Sequence, residues 1–328
     1  MKYFKRTAAV VLSSMLLLTG CSIRGREIVL DINNSNGHTV LSVNKKKCNV
    51  KEAMIYLCNY KNLYGNEYGV DLLGTDDASD VEKYIKDVSI DEITRVYCMV
   101  SIAQEKEISL TDDESKAVED AAQEYYKSLS DDEKDFMGVG KSDVESAYEN
   151  YALAQKLYNS LIKDVDTEVS DDDARVIHIQ KIFVTGQESA DTVKQKIAAG
   201  EDFATIATSL SEDSQTDLYV AKGTLPEKVE QAAFDLNDGQ ISDMIQTDDG
   251  YYFIKCISKM DQEKTDQNKV NILQQREQDQ FNEDYDGFVN DAQFELNSDL
   301  WEEISLSDAE NIKTDSFFSI YDKHFTSK

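Results

Sequence analysis

Residues 229–255 read VEQAAFDLNDGQISDMIQTDDGYYFIK, and the fold turns on this stretch. A helix over 227–236 is stopped by Asn237-Asp238-Gly239, a C-cap sequence in which glycine takes the left-handed backbone. Two strands follow, 241–246 and 251–258, turned at Asp248-Asp249-Gly250. Upstream, 176–184 is β-branched and apolar, a third strand, while 189–199 and 203–210 read as helices, the first closed by Gly200. The order β-α-α-α-β-β is an α+β unit whose last two strands form a hairpin.

Outward from this unit the chain is helical. Helices are expected at 50–64, 80–106, 111–128, 130–137 and 142–164, after a short strand at 40–43 and a turn at Lys45-Lys46-Lys47. Thr111 with Glu114, Ser130 with Glu133 and Ser142 with Glu145 have capping-box spacing, which lets each pair satisfy orphan amides reciprocally. An acidic hinge, Ser170-Asp171-Asp172-Asp173, leads into the α+β unit. From 265 to 303 the pattern is helical again, and a helix that long cannot bury its apolar face alone. It is expected to return to the helical region, where the apolar tail Phe317-Phe318-Ser319-Ile320-Tyr321 also docks. The expected organisation is therefore 1–20 signal, 21–38 tether, 39–172 helical region, 173–261 inserted α+β unit and 262–328 returning helix. The fold class is α+β, with a mostly helical discontinuous domain.

The formal charge is −30, from 64 acidic and 34 basic residues. Such a surface argues against nucleic acid, whose phosphates need a cationic face. Lys2, Lys5 and Arg6 precede the apolar run 8–18, which is too short to span a bilayer and has the layout of a secretory signal. The run ends in Leu18-Thr19-Gly20-Cys21, which resembles the bacterial lipobox, so Cys21 is the expected lipidation site and the protein the expected occupant of the outer face of the cell membrane. Cys48, Cys58, Cys98 and Cys256 form no CxxC motif, and their pairing stays open. With histidines only at 38, 178 and 324, no His/Cys metal cluster is expected, and no cofactor is implied. Gly138-Val139-Gly140-Lys141-Ser142 ends like a phosphate-binding loop but lacks its first glycine, since position 135 is Asp.

Residues 174–260 resemble the parvulin family of peptidyl-prolyl isomerases. The resemblance rests on Gly200-Glu201-Asp202-Phe203-Ala204, Ser211-Glu212-Asp213, Gly223-Thr224-Leu225, Val229 through Leu236, Gly239-Gln240-Ile241-Ser242 and Thr247 through Lys255. The surrounding layout resembles the PrsA and SurA foldases: lipobox, helical chaperone region, parvulin insert and returning helix. The resemblance implies a proline pocket walled by Leu225, Val229 and Phe234, with Asp213 and Thr247 among the catalytic positions. It also places Lys181 and Tyr252 where the family carries two histidines. Lys181 is then either a surface cation or a floor residue paired with Asp213, and His178 falls on the opposite strand face. Two functions follow. One is a membrane-tethered isomerase that helps unfolded or partly folded exported clients. The other is a non-catalytic holdase whose inserted unit only binds them. Either is compatible with a homodimer, and neither needs a metal.

Overall fold

The computed structural model describes residues 38–68, 78–307 and 309–325. Cys21, the signal segment, the tether and most of the expected loop at 71–79 lie outside the described residues. The chain divides into two compact units, Met1–Lys163 with Phe281–Lys328, and Asp164–Gln280.

The first unit opens with strands β1 (Thr39–Val43) and β2 (Lys46–Asn49), followed by helices α1 (Val50–Tyr68), α2 (Ala78–Glu105), α3 (Asp112–Ser128), α4 (Asp131–Met137) and α5 (Lys141–Ile162). Strand β2 departs from the expected lysine turn. The turn sits one residue earlier, at Asn44, whose φ of 54° is left-handed backbone that asparagine tolerates. The capping boxes at Thr111 and Ser130 are both formed. The one expected at Ser142 is not: α5 starts a residue sooner, and Asp143 Oδ2 accepts the Gly140 N–H at 2.7 Å instead.

The second unit begins with a helical turn, α6 (Asp171–Ala174), where the acidic hinge was expected. Ser170 caps it by accepting the Asp173 N–H at 3.0 Å. Then come β3 (Val176–Val184), α7 (Gln187–Ala198), α8 (Phe203–Leu210), β4 (Asp217–Ala221), α9 (Glu227–Asp235), β5 (Ile245–Gln246) and β6 (Tyr251–Ser258). The four strands form one antiparallel sheet in the order β4-β3-β6-β5. Strand β4 occupies a stretch that reads as loop in the sequence, and the strand expected at 241–246 shrinks to two residues plus a bridge from Ile241 to Lys255.

Alternation along β3 sorts its side chains between two apolar clusters. Ile177, Ile179 and Phe183 pack with Val229, Ala233 and Leu236 on the α9 side. Ile182 and Val184 pack with Ala190, Val193, Phe203 and Ile206 on the other.

Helix α10 (Gln262–Asp291) crosses the division between the units at Phe281. Its first part belongs with the α+β unit, later than the expected boundary at 261, because hydrogen bonds tie it to residues 166–176. Thr265 Oγ1 accepts the Val176 N–H, Asn268 Nδ2 donates to the Ala174 carbonyl, and Arg276 donates to the carbonyls of Asp166 and Glu168. Beyond α10 the expected helix is interrupted by β7 (Phe294–Leu296), which pairs with β1 to complete a three-stranded sheet. Helices α11 (Ser298–Glu303) and α12 (Phe317–Phe325) follow.

The core of the first unit is rich in aromatic rings from both ends of the chain. Phe317 is fully buried, stacked on Tyr148 at 4.2 Å and edge-on to Tyr125 at 5.5 Å. Its amide donates to Asn59 Oδ1, while Asn59 Nδ2 donates to the Ile55 carbonyl and to Tyr125 Oη, so this buried amide has partners on both sides. Glu133, 4% exposed, completes the α4 capping box and also accepts the N–H groups of Lys313 and Thr314 at 2.9 and 2.7 Å. Cys48, Cys58, Cys98 and Cys256 are buried thiols, not disulfides. Among the described residues no helix is long and apolar enough to cross a membrane.

Candidate functional site

The sheet face beneath α9 carries the polar group of interest. Lys181 follows Ile177 and Ile179 at strand spacing and so points to the same face. There it is 8% exposed, and its Nζ donates to Asp213 Oδ2 at 2.6 Å. A buried ammonium needs such a partner, because desolvation alone costs several kcal/mol. Of the two sequence readings of Lys181, the geometry matches the paired one.

Asp213 is held by the loop after α8. Ser211 Oγ accepts the Phe183 N–H, the Glu212 N–H donates to the Phe183 carbonyl, and the Glu212 carboxylate accepts from Thr185. These bonds fasten the loop to the end of β3 and set Asp213 beside Lys181. The Lys181 hydrogen bond, and then the Gln215 amide, hold the Asp213 carboxyl below the usual carboxylate range.

Tyr252 lies on β6 directly across from Phe183, their rings 4.7 Å apart. Burial, with the negative charges of Asp249 and Asp213, pushes its phenol above the ordinary value, so it stays protonated and able to donate. Gly250 makes the turn before it possible. A Cβ there would lie 2.5 Å from the Val184 carbonyl oxygen, at a φ of 150°.

The apolar residues converge less evenly. Leu225 and Phe234 are half-buried and pack on the same cluster as Tyr252. Val229 is fully buried in that cluster, so it supports the wall from beneath and offers no surface to a ligand. The Phe234 ring is covered by the Arg175 guanidinium at 5.1 Å. The Thr247 hydroxyl and amide both donate to the Gly250 carbonyl, so this side chain closes the hairpin turn. Phe183, Leu218 and Ile245 pack on the cluster too, and none was singled out from the sequence. Phe183 was within reach, two residues after Lys181 on the same strand face. His178 sits on the other face, bonded to Asp217 at 2.6 Å and stacked on Tyr219. Among the described residues no group of three His, Cys, Asp or Glu side chains is placed to hold a metal ion.

Comparison with known proteins bears on this same region. Residues 168–271 match the PPIC-type PPIase domain. The chain is 30% identical over 196 residues to the foldase protein PrsA of Clostridium acetobutylicum, covering 51% of this chain and 58% of that protein. It is 32% identical over 124 residues to foldase protein PrsA 3 of Bacillus cereus, covering 35% of this chain and 44% of that one. It therefore spans about half the length of each. A crystal structure of peptidylprolyl isomerase (PrsA) from Bacillus cereus aligns with 74% of this chain and 93% of that one, at 23% identity and a TM-score of 0.37.

Proposed function

We propose that this chain, which carries a PPIC-type PPIase domain and is homologous to the PrsA foldases, is a foldase that twists Xaa-Pro bonds in exported, partly folded clients. The observation that carries the reading is the Lys181–Asp213 pair on the sheet face whose apolar cluster holds Tyr252 and the half-buried Leu225 and Phe234.

Rotation about an Xaa-Pro bond faces a barrier of roughly 18–20 kcal/mol and takes tens of seconds or longer unaided. In the twisted transition state the amide loses its resonance, and the prolyl nitrogen regains a lone pair. A site accelerates rotation by favouring that twist over the planar ground state. Leu225 and Phe234 offer the prolyl ring an apolar seat. Asp213 accepts a hydrogen bond from the Lys181 ammonium and orients it, and the protonated Tyr252 phenol supplies a second donor. Donors fixed in a site of low dielectric stabilise developing charge without reorganising. No bond to the protein forms and no proton needs to leave it.

A protease-free exchange assay on a proline peptide tests this. Asp213→Ala and Tyr252→Ala are each expected to lower kcat/KM by about ten-fold or more, equivalent to ~1.4 kcal/mol of transition-state stabilisation. A second reading, a holdase without turnover, draws on the burial of Val229 and the covered Phe234 ring. It holds instead if wild type and both variants match buffer while aggregation of a denatured client is still suppressed.

The anchoring segment supports a location. The cationic start, the short apolar run and Leu18-Thr19-Gly20-Cys21 fit lipid attachment at Cys21, with the protein facing outward from the cell membrane. Cys21→Ser is expected to move the protein from the membrane pellet to the soluble fraction, and an unchanged pellet would refute the anchor.

A further inference from the structure

Resting on the prolyl-site reading above, we infer that the open edge of β4 is a second client subsite, on which the segment before the proline lies as an added antiparallel strand.

Strand β4 is the outermost strand on its side of the sheet. Its bonds to β3 can be assigned residue by residue. The Lys181 N–H donates to the Thr216 carbonyl at 2.8 Å, and the register pairs Ile179 with Leu218 and Ile177 with Val220. Bonded and non-bonded pairs alternate in an antiparallel ladder. Thr216, Leu218 and Val220 therefore bond to β3, while Asp217, Tyr219 and Ala221 turn their N–H and C=O groups outward. Of these outward groups only the Ala221 carbonyl has a partner among the described residues, the Thr224 hydroxyl at 2.7 Å.

An edge of this kind recruits another strand unless something blocks it. No lysine, proline or bulge interrupts Asp217–Ala221. Its one charge is Asp217, whose carboxylate is already engaged by His178 and Gln180 at 2.6 and 3.1 Å. Tyr219, at the middle, is 48% exposed. Its ring is held by stacking on His178 at 4.4 Å and by Lys264 Nζ, 4.4 Å from the ring centroid. A residue arriving opposite Tyr219 gains that ring as its cross-strand neighbour.

The edge is continuous with the Lys181–Asp213 pair, which points to a client rather than a second copy. Thr216, whose carbonyl holds the Lys181 amide, joins β4 to the Asp213 loop. Asp213 comes four residues before Asp217, at most about 14 Å of chain. Because β4 runs away from Asp213, an antiparallel partner runs towards it, and its proline arrives there after the paired segment. Main-chain bonds supply affinity without demanding a side-chain sequence, which suits clients that share only an unfolded stretch and a proline.

Labelled peptides titrated into the full chain test this. Ala-Ala-Pro-Phe is the short probe, and two long probes add alternating Thr and Gln residues before it or after it, enough to span β4 and the link to Asp213. The leading extension is expected to tighten binding by about ten-fold or more, as a second contact linked to the first. The trailing extension is expected to add little. N-methylation of alternate residues in the leading extension removes donors and is expected to abolish the gain. Tyr219→Pro is expected to abolish it too, since the Tyr219 N–H points away from β3 and proline is tolerated at such edge positions. The gain is the ratio of long to short probe within one variant, so a general loss of binding does not imitate its disappearance. A gain that survives N-methylation, or that follows the trailing extension, would overturn the edge subsite. A dimeric wild type beside a monomeric Tyr219→Pro would also overturn it, giving the edge to a second copy. A short probe that neither binds nor turns over, with the leading extension still bound, would overturn the prolyl-site reading and leave the edge contact standing.

Discussion

Phe317→Ala should lower the stability of the helical unit by about 3–5 kcal/mol, the range for removing a large buried aromatic side chain. The ring is not merely buried. It stacks on Tyr148, meets Tyr125 edge-on, and lies 5.4 Å from Tyr56 and 6.0 Å from Tyr151. Alanine keeps the main-chain bonds to Asn59 and Tyr148 but leaves a void among four large rings that cannot collapse together. Trp301, the chain's single tryptophan, is buried in this same unit, so its fluorescence during urea unfolding reports on this unit. An unchanged midpoint would mean the tail is not docked as described.

The second large effect depends on pH. Backbone N–H groups of Ser130, Lys313 and Thr314 hold the Glu133 carboxyl at about 2, against the opposing effect of burial. A carboxyl whose folded value lies below its unfolded one adds stability above the unfolded value, roughly 4.3, and loses it as the pH falls towards the folded one. Glu133→Gln leaves a single oxygen to serve three donors on two segments and removes the charge. It is expected to cost about 2 kcal/mol at pH 7, the scale of charge-assisted hydrogen bonds. Near pH 2 the difference between variant and wild type should shrink to a small fraction of that. A penalty of equal size at both pH values would show that the charge contributes nothing.

Much of the architecture was legible because it is written in local signals. The capping boxes at Thr111 and Ser130, the helix stop at Asn237-Asp238-Gly239 and the Asp248-Asp249-Gly250 turn all act within four residues of themselves. The short strands were not legible. Strands β2 and β7 exist because each pairs with β1, and β7 comes from the far end of the chain. Strand β4 pairs with β3 across some forty residues, and nothing in Asp217–Ala221 itself announces that partner. The Ser142 box failed for a related reason: Asp143 competes for the same helix start and reaches the Gly140 amide first.

At the site, strand alternation is enough to place Lys181 and His178 on opposite faces. Which anion Lys181 meets depends on how the Ser211–Asp213 loop is laced to Phe183 and Thr185, a matter of tertiary structure. The burial of Val229 is equally hidden, since the residue type suits a wall and a core alike.

The helical unit is finished by residues that follow its first helices by some two hundred positions or more, and this sets a timetable. Asn59 waits for Phe317, and Glu133 waits for Thr314. As the polypeptide is made from its N-terminal side, the rings of Tyr56, Tyr125 and Tyr148 stay without their keystone until Phe317 is out. The α+β unit, continuous in the chain, has no such wait. Until Phe317 and Thr314 arrive, then, the helical unit is itself a half-made structure.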